Sequence, residues 1–176
     1  MSDLVITTFS ADDIAANVAE LGALLRACVH DGASIGFVLP YSVADSEGFW
    51  TSKVLPGVQE GSRIVLVARI DGRIVGSVQL GYDTMPNQPH RADVNKLLVH
   101  PDFRRRGIGL GLMIRLETLA RELGRSLMTL DTRTGDKAEP LYAQLGYQTV
   151  GVIPGYARDP MGGERLDATT IMYKQI

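Results

Sequence analysis

Cysteine is almost missing from this chain, and the absence excludes a good deal. One thiol, Cys28, cannot form an internal disulfide, and no CxxC or HExxH pattern offers the ligand spacing of a zinc site. No metal is expected. The three histidines, His30, His90 and His100, are scattered without ligand spacing. No apolar run comes near the length that crosses a bilayer, and the opening MSDLVITTFSADD lacks the positive and apolar regions of a secretory signal. No membrane partner is expected, and a reducing, cytoplasmic setting fits. An excess of one charge is missing too. The 18 basic and 20 acidic residues leave a net charge of -2, so nothing draws the whole chain to nucleic acid or anionic lipid. Any basic function has to be local.

What is present is the composition of an ordinary globular protein. The 176 residues, 45% hydrophobic and 22% charged, suffice to bury a core without disulfides or metals, so one domain over 1–176 is expected. Residues 4–8 are β-branched and read as a strand. Ser10 and Asp13 carry a capping-box signal, and Ile14, Val18, Leu21, Leu25 and Val29 fall on one face of a helix ending near Gly32. Residues 42–47 start a second helix that Pro56-Gly57 closes. Two β-rich runs, 63–70 and 73–82, flank Asp71-Gly72, a two-residue hairpin turn. A strand over 91–100 precedes a helix marked by Ile108, Leu112, Leu116, Leu119 and Leu123. A strand over 126–131, a short helix over 137–145, and strands over 147–152 and 169–173 complete a mixed α/β (α+β) pattern that is not doubly wound.

The most informative stretch runs from Leu97, Leu98 and Val99 through His100-Pro101-Asp102-Phe103 to Arg104, Arg105, Arg106, Gly107, Ile108, Gly109 and Leu110. It reads as an apolar strand, a basic turn and a helix start. Glycines at 107 and 109 clear side chains from the first helical turn, where unpaired N–H groups and the helix dipole favour an anion. The arginines add charge-assisted hydrogen bonds. The plainer alternative is a solvated turn. A dinucleotide fingerprint is excluded because its third glycine is replaced by Leu112.

Arg104, Gly107 and Gly109 stand at the defining positions of (Q/R)-x-x-G-x-(G/A), and the segment resembles the acetyl-CoA-binding signature of the GNAT superfamily of N-acetyltransferases. Ala138, Leu141, Tyr142, Leu145, Gly146 and Tyr147 resemble that family's A-x-x-L-Y-x-x-L-G-(F/Y) signature. Many members have an asparagine where this chain has Gly135, so backbone contact is the substitute there. Three further stretches, 30–37, 91–97 and 154–156, are similar to the tabtoxin-resistance branch of the family, which acts on a β-lactam toxin. The resemblance implies a mixed, mostly antiparallel sheet of about seven strands with helices on both faces. It also implies a splayed cofactor cleft between the fourth and fifth strands. Backbone groups of Leu97, Leu98 and Val99 would pair with the pantetheine arm, and the amides of residues 104–110 would hold the diphosphate. Acetyl-CoA is then the cosubstrate and a small primary amine the partner; dimers are common in the family, which leaves a homodimer open.

Acetyl transfer to an amine needs proton handling. A lysine-like amine of pKa ~10.4 lies ~3.4 units above pH 7, so reaching its neutral form costs roughly 4.6 kcal/mol. Strand periodicity puts Asp93, Asn95, Leu97 and Val99 on one face, and by resemblance Asp93 is the base, acting through water because it is shorter than glutamate. Pairing with Arg91 is the alternative. Asp131 is the second candidate base, or else a cap. By resemblance Tyr142 is the acid that protonates the departing thiolate, although core packing would equally suit it. Ser34, Phe37 and Tyr156 are expected to wall the acceptor pocket on two loops, 34–37 and 152–159. Phe49 and Trp50 read as packing residues and Cys28 as a buried, inert thiol. Two other functions compete: acetylation of a protein lysine or N-terminus, and non-catalytic acyl-CoA binding.

Overall fold

The hairpin around Asp71-Gly72 sets the frame of the sheet. β2 (Arg63–Ile70) and β3 (Arg73–Gly81) pair antiparallel. Asp71 and Gly72 take left-handed φ angles of 51° and 81°, which match the twist of the strands they join. The computed structural model describes residues 3–176. In it β1 (Leu4–Phe9) flanks β2, and β4 (Arg91–Val99) flanks β3. β5 (Leu127–Arg133), β6 (Gln148–Arg158) and β7 (Leu166–Gln175) complete seven strands in the order β1-β2-β3-β4-β5-β7-β6. Among the described residues, β4 with β5 is the one parallel pairing, and it spans three residue pairs, Arg91–Leu127 to Asp93–Thr129.

Helices cover both faces because the strands alternate. Leu66, Ala68, Val78 and Leu80 face α5 (Ile108–Glu122), while Val65 and Val67 face α2 (Val18–His30). The buried stripe of α5 runs Ile108, Leu112, Met113, Leu116 and Ala120. Leu123, expected on that stripe, is instead the exposed C-cap.

The helix expected from Ser10 to Gly32 is two. α1 (Ala11–Ala16) has the full Ser10/Asp13 capping box but ends at Asn17, whose φ is -119°. The Asn17 amide donates to the Asp13 carbonyl at 2.7 Å and its oxygen accepts from Arg69 at 2.9 Å. A side chain that bonds backbone in this way competes with helix continuation. The second helical region is also longer than its prolines suggest. α3 (Val43–Phe49) passes through a π turn (Trp50–Val54) into α4 (Leu55–Gln59), with Pro56 in the first turn of α4. A missing N–H costs nothing there. α6 (Ala138–Gln144) packs beside β5.

Two departures shape the cleft. The register of β4 against β3 shifts between Ser77–Leu98 and Gln79–Asn95, and Lys96 takes a left-handed φ of 50°. This bulge reverses the alternation. Asp93 and Asn95 therefore lie on the α2 side, whereas Leu97 and Val99 turn to the α5 core, and the single face expected for all four is corrected. The expected loop over 152–159 is mostly β6 itself, bulged between Ile153 and Ala157.

Candidate active site

The cleft opens where the parallel pairing stops. Beyond Asp93 and Thr129, β4 and β5 diverge, so the edge of β4 from Val94 to Val99 has no β5 partner and its backbone groups face a cleft of about 830 Å³. Leu97, Leu98 and Val99 all line it. That volume suits a ligand larger than an amino acid. The Cys28 Sγ takes up the Val99 carbonyl at 3.5 Å. Burial pushes this thiol up to about 11, and it has no base partner.

At one end lies the turn before α5. Gly107 is the N-cap, with φ 75°, and Arg105 is left-handed too, at 63°. Among the described residues the amides of 105–110 donate to no backbone carbonyl; the ladder of α5 begins with Gly111 N–H to Gly107 at 2.9 Å. These are the orphan donors of a helix start. A Cβ on Gly109 would stand 3.1 Å from Leu141 Cδ2, so the first turn has no room to spare on that side. Gly107, Ile108, Gly109 and Leu110 line the cleft with Arg104 and Arg105. Arg104 is ion-paired with Asp31. Arg106 turns away, its guanidinium 4.9 Å from the centre of the Phe103 ring.

Titratable groups line the cleft as well. Tyr142 is 6% exposed, lines the cleft and packs edge-on to Tyr147, ring centres 5.8 Å apart. Burial raises its phenol far above the ordinary value, and the carboxylates of Asp131 and Asp136 raise it further. The proton is held firmly at neutral pH. Asp131 lines the cleft and accepts one hydrogen bond, from Thr169 Oγ1 at 3.1 Å. Asp93 lies in a smaller adjoining depression of about 240 Å³. Its carboxylate is tied to Arg91 at 2.5 Å and to the Thr129 hydroxyl.

The family model described as Acetyltransferase (GNAT) family matches residues 37–147, well over half of the chain. The chain belongs to the GNAT family. An acetyltransferase of Pectobacterium atrosepticum is 42% identical over 91 residues, which cover 51% of this chain and 61% of that relative. The match thus spans about three-fifths of the curated relative's length. Among solved structures, the Salmonella typhimurium protein yncA, solved with its cofactor acetyl-CoA, superposes with a TM-score of 0.76 at 20% identity over 99% of this chain and 94% of that one. An N-acetyltransferase of Staphylococcus aureus Mu50 gives 0.78 at 13% identity, covering 99% of both chains. These likenesses show the fold.

One wall of the cleft in this GNAT fold is the loop after α2. Ser34 and Gly36 line the cleft, and so does Tyr156 from the β6 bulge. Leu39 N–H donates to the Pro160 carbonyl at 2.8 Å, and Arg133 donates to Gly32 at 3.0 Å, tying the loop to the far strands. Phe37 stands behind this wall, packed on Tyr41 and Phe49 with ring centres 4.8 and 5.1 Å away. The Gly135 amide is occupied by Glu139 at 2.7 Å. Among the described residues no cluster of metal-ligating side chains occurs, and no helix is long and apolar enough to cross a membrane.

The residue that sequence reasoning missed is Lys96. It lies on the bulge, its Nζ 5.6 and 5.9 Å from the Phe37 and Phe49 ring centres, and it lines the cleft. A regular strand would have sent it to the opposite face from Asn95, so alternation gave no signal for it.

Proposed function

We propose that the chain is an acetyl-CoA-dependent N-acetyltransferase that acts on the primary amine of a small molecule, an amino-acid-like or β-lactam compound being the class suggested by the closer resemblance. The observation that carries this reading is the early end of the β4–β5 pairing, which leads a free strand edge to the unpaired amides of residues 105–110. Both line a cleft of about 830 Å³, a volume that suits an extended thioester cofactor. Acetyl-CoA, when bound, supplies the acetyl thioester that an amine can attack. The amides of 105–110, with Arg104 and Arg105, hold the diphosphate, and the edge of Leu97, Leu98 and Val99 holds the pantetheine amides.

Transfer is direct, with both substrates bound. A Cys28 thiol raised to about 11 and lacking a base is unfit for a covalent route. Tyr142, protonated throughout the physiological range, gives its proton to the thiolate sulfur. A carboxylate takes the amine proton. Sequence put Asp93 first, but its carboxylate is already engaged by Arg91 and the Thr129 hydroxyl, which leaves it less free to meet an amine. Asp131 faces the same cleft as Tyr142 with only Thr169 on its carboxylate, so the weight moves to Asp131, and Asp93 steers Thr129 and water. A reducing compartment such as the cytoplasm suits a chain with one buried free thiol.

The test is CoA release from acetyl-CoA over amines, amino acids, β-lactam-like compounds and lysine-containing peptides. Release with small amines and none with peptides is expected. Release with peptides alone favours a protein acetyltransferase, and release with nothing, despite tight acetyl-CoA binding, favours a non-catalytic binder.

A further inference from the structure

The positive charge of Lys96 has no counterpart. Among the described residues no carboxylate comes within 4.0 Å of its Nζ, although the chain makes ion pairs readily elsewhere, at Arg104–Asp31 and Arg91–Asp93 among others. The ammonium is partly buried, with two phenyl faces beneath it and Gly36 so close that a Cβ there would stand 3.4 Å from Nζ. Phenyl faces attract a cation but do not neutralise it, and a half-desolvated charge is costly until an anion meets it. The backbone beneath is itself unfavourable, a non-glycine residue at φ 50°. That strained bulge is what brings the side chain onto the cleft wall.

Opposite in charge, on the same cleft, is Asp131. The two are close enough for the carboxylate to favour the charged lysine, against a larger opposing effect of burial, yet they do not pair. Lys96 and Asp131 line one cleft with Ser34, Gly36 and Tyr156, so an acceptor seated there meets both a cation and an anion. We infer that the acceptor is a zwitterion, a small molecule carrying a carboxylate as well as its primary amine, and that Lys96 binds the carboxylate while the amine lies toward Asp131 and Tyr142. The inference rests on the acetyltransferase reading for the amine end only. Gly36 contributes by lacking the side chain that would cover Nζ, and Phe37 and Phe49 hold the lysine stem in place.

The experiment pairs each proteinogenic L-amino acid with its carboxamide, as acceptors for the wild type, Lys96→Met and Lys96→Arg. The best wild-type acceptors should favour the carboxylate by at least ~10-fold in kcat/KM, the size of one charge-assisted hydrogen bond. Lys96→Met should erase that ratio and Lys96→Arg should keep most of it. Because the ratio is taken within one variant, a partly folded sample lowers both members equally. A second readout needs no turnover. In proton–carbon spectra of lysine-labelled protein, the Lys96 Cε signal, identified by its loss in Lys96→Met, should move on addition of amino acids and stay still with their carboxamides. If it moves while no amine releases CoA, the zwitterion site stands and the acetyltransferase reading falls. A wild-type ratio near one, a ratio that survives in Lys96→Met, or a Lys96 signal that no amino acid moves would overturn the inference.

Discussion

The proton work proposed for Tyr142, Asp131 and Asp93 turns on the different environments of the three side chains. Burial and the neighbouring Asp131 and Asp136 carboxylates all push the Tyr142 phenol the same way, upward, so the side chain stays a donor as pH rises through the range where an amine loses its proton. Tyr142→Phe should lower kcat by ~10- to 100-fold, at or below the usual span for general acid–base catalysis, with acetyl-CoA affinity kept. The wild-type rate should show no loss below about pH 10 traceable to this tyrosine, since its folded value lies above the ordinary ~10. A Tyr142→Phe enzyme of wild-type rate would remove the acid role. For the base, asparagine keeps size and polarity but takes no proton. The defect of Asp131→Asn should shrink between pH 7 and 10 as more amine is already neutral, and that of Asp93→Asn should not. Rate profiles over that range decide the matter, and the reverse pattern would return the role to Asp93.

Among the elements, the seat of α5 on β3 fixes the turn of residues 104–110 in space. A Cβ at Gly76 would stand 2.8 Å from Ile108 Cγ2, 3.1 Å from Leu112 Cδ1 and 3.1 Å from the Leu98 carbonyl. Gly76→Ala should therefore destabilise the fold by about 1–3 kcal/mol, as overpacking does, and lift the first turn of α5. Urea unfolding measures the first effect, and an unchanged midpoint would mean that the helix is not seated as described. Elements with strong local signals were legible in the sequence: Asp71-Gly72 carries its own turn chemistry, and Ile108, Leu112 and Leu116 repeat at helical spacing. Those decided by one residue's competition or by tertiary pairing were not. Asn17 breaks a helix whose apolar stripe runs on without a gap. The β4 bulge follows from how Gln79 and Ser77 pair across the sheet, so no property of Lys96 itself announces it. The last hairpin was read short because β6 is an exposed edge strand carrying Pro154 and Gly155 within a bulge, both of which signal a loop.

At the scale of the molecule, two cores on opposite faces clamp a sheet whose parallel seam opens after three residue pairs. Contacts from Leu39 to Pro160 in the β6–β7 connection and from Arg133 of β5 to Gly32 tie these segments to the loop after α2, so the cleft is walled on the side of Ser34 and Tyr156. The signature residues at 104–110 and 138–147 were legible because their chemistry is local. The wall proposed to hold the acceptor was less so, because it is assembled from segments more than a hundred residues apart, such as Gly36 and Tyr156. Everything proposed for that wall depends on acetyl-CoA lying along β4 with its diphosphate on the first turn of α5. Calorimetric titration of acetyl-CoA into the wild type and Gly109→Glu, with circular dichroism to check that the variant is folded, tests this most directly. The glutamate puts a carboxylate where the diphosphate should sit, and two like charges at contact distance repel by several kcal/mol in a partly buried site. Saturable wild-type binding that weakens by at least ~100-fold in the variant is expected. A folded Gly109→Glu protein that binds acetyl-CoA as tightly as the wild type would contradict that placement of acetyl-CoA.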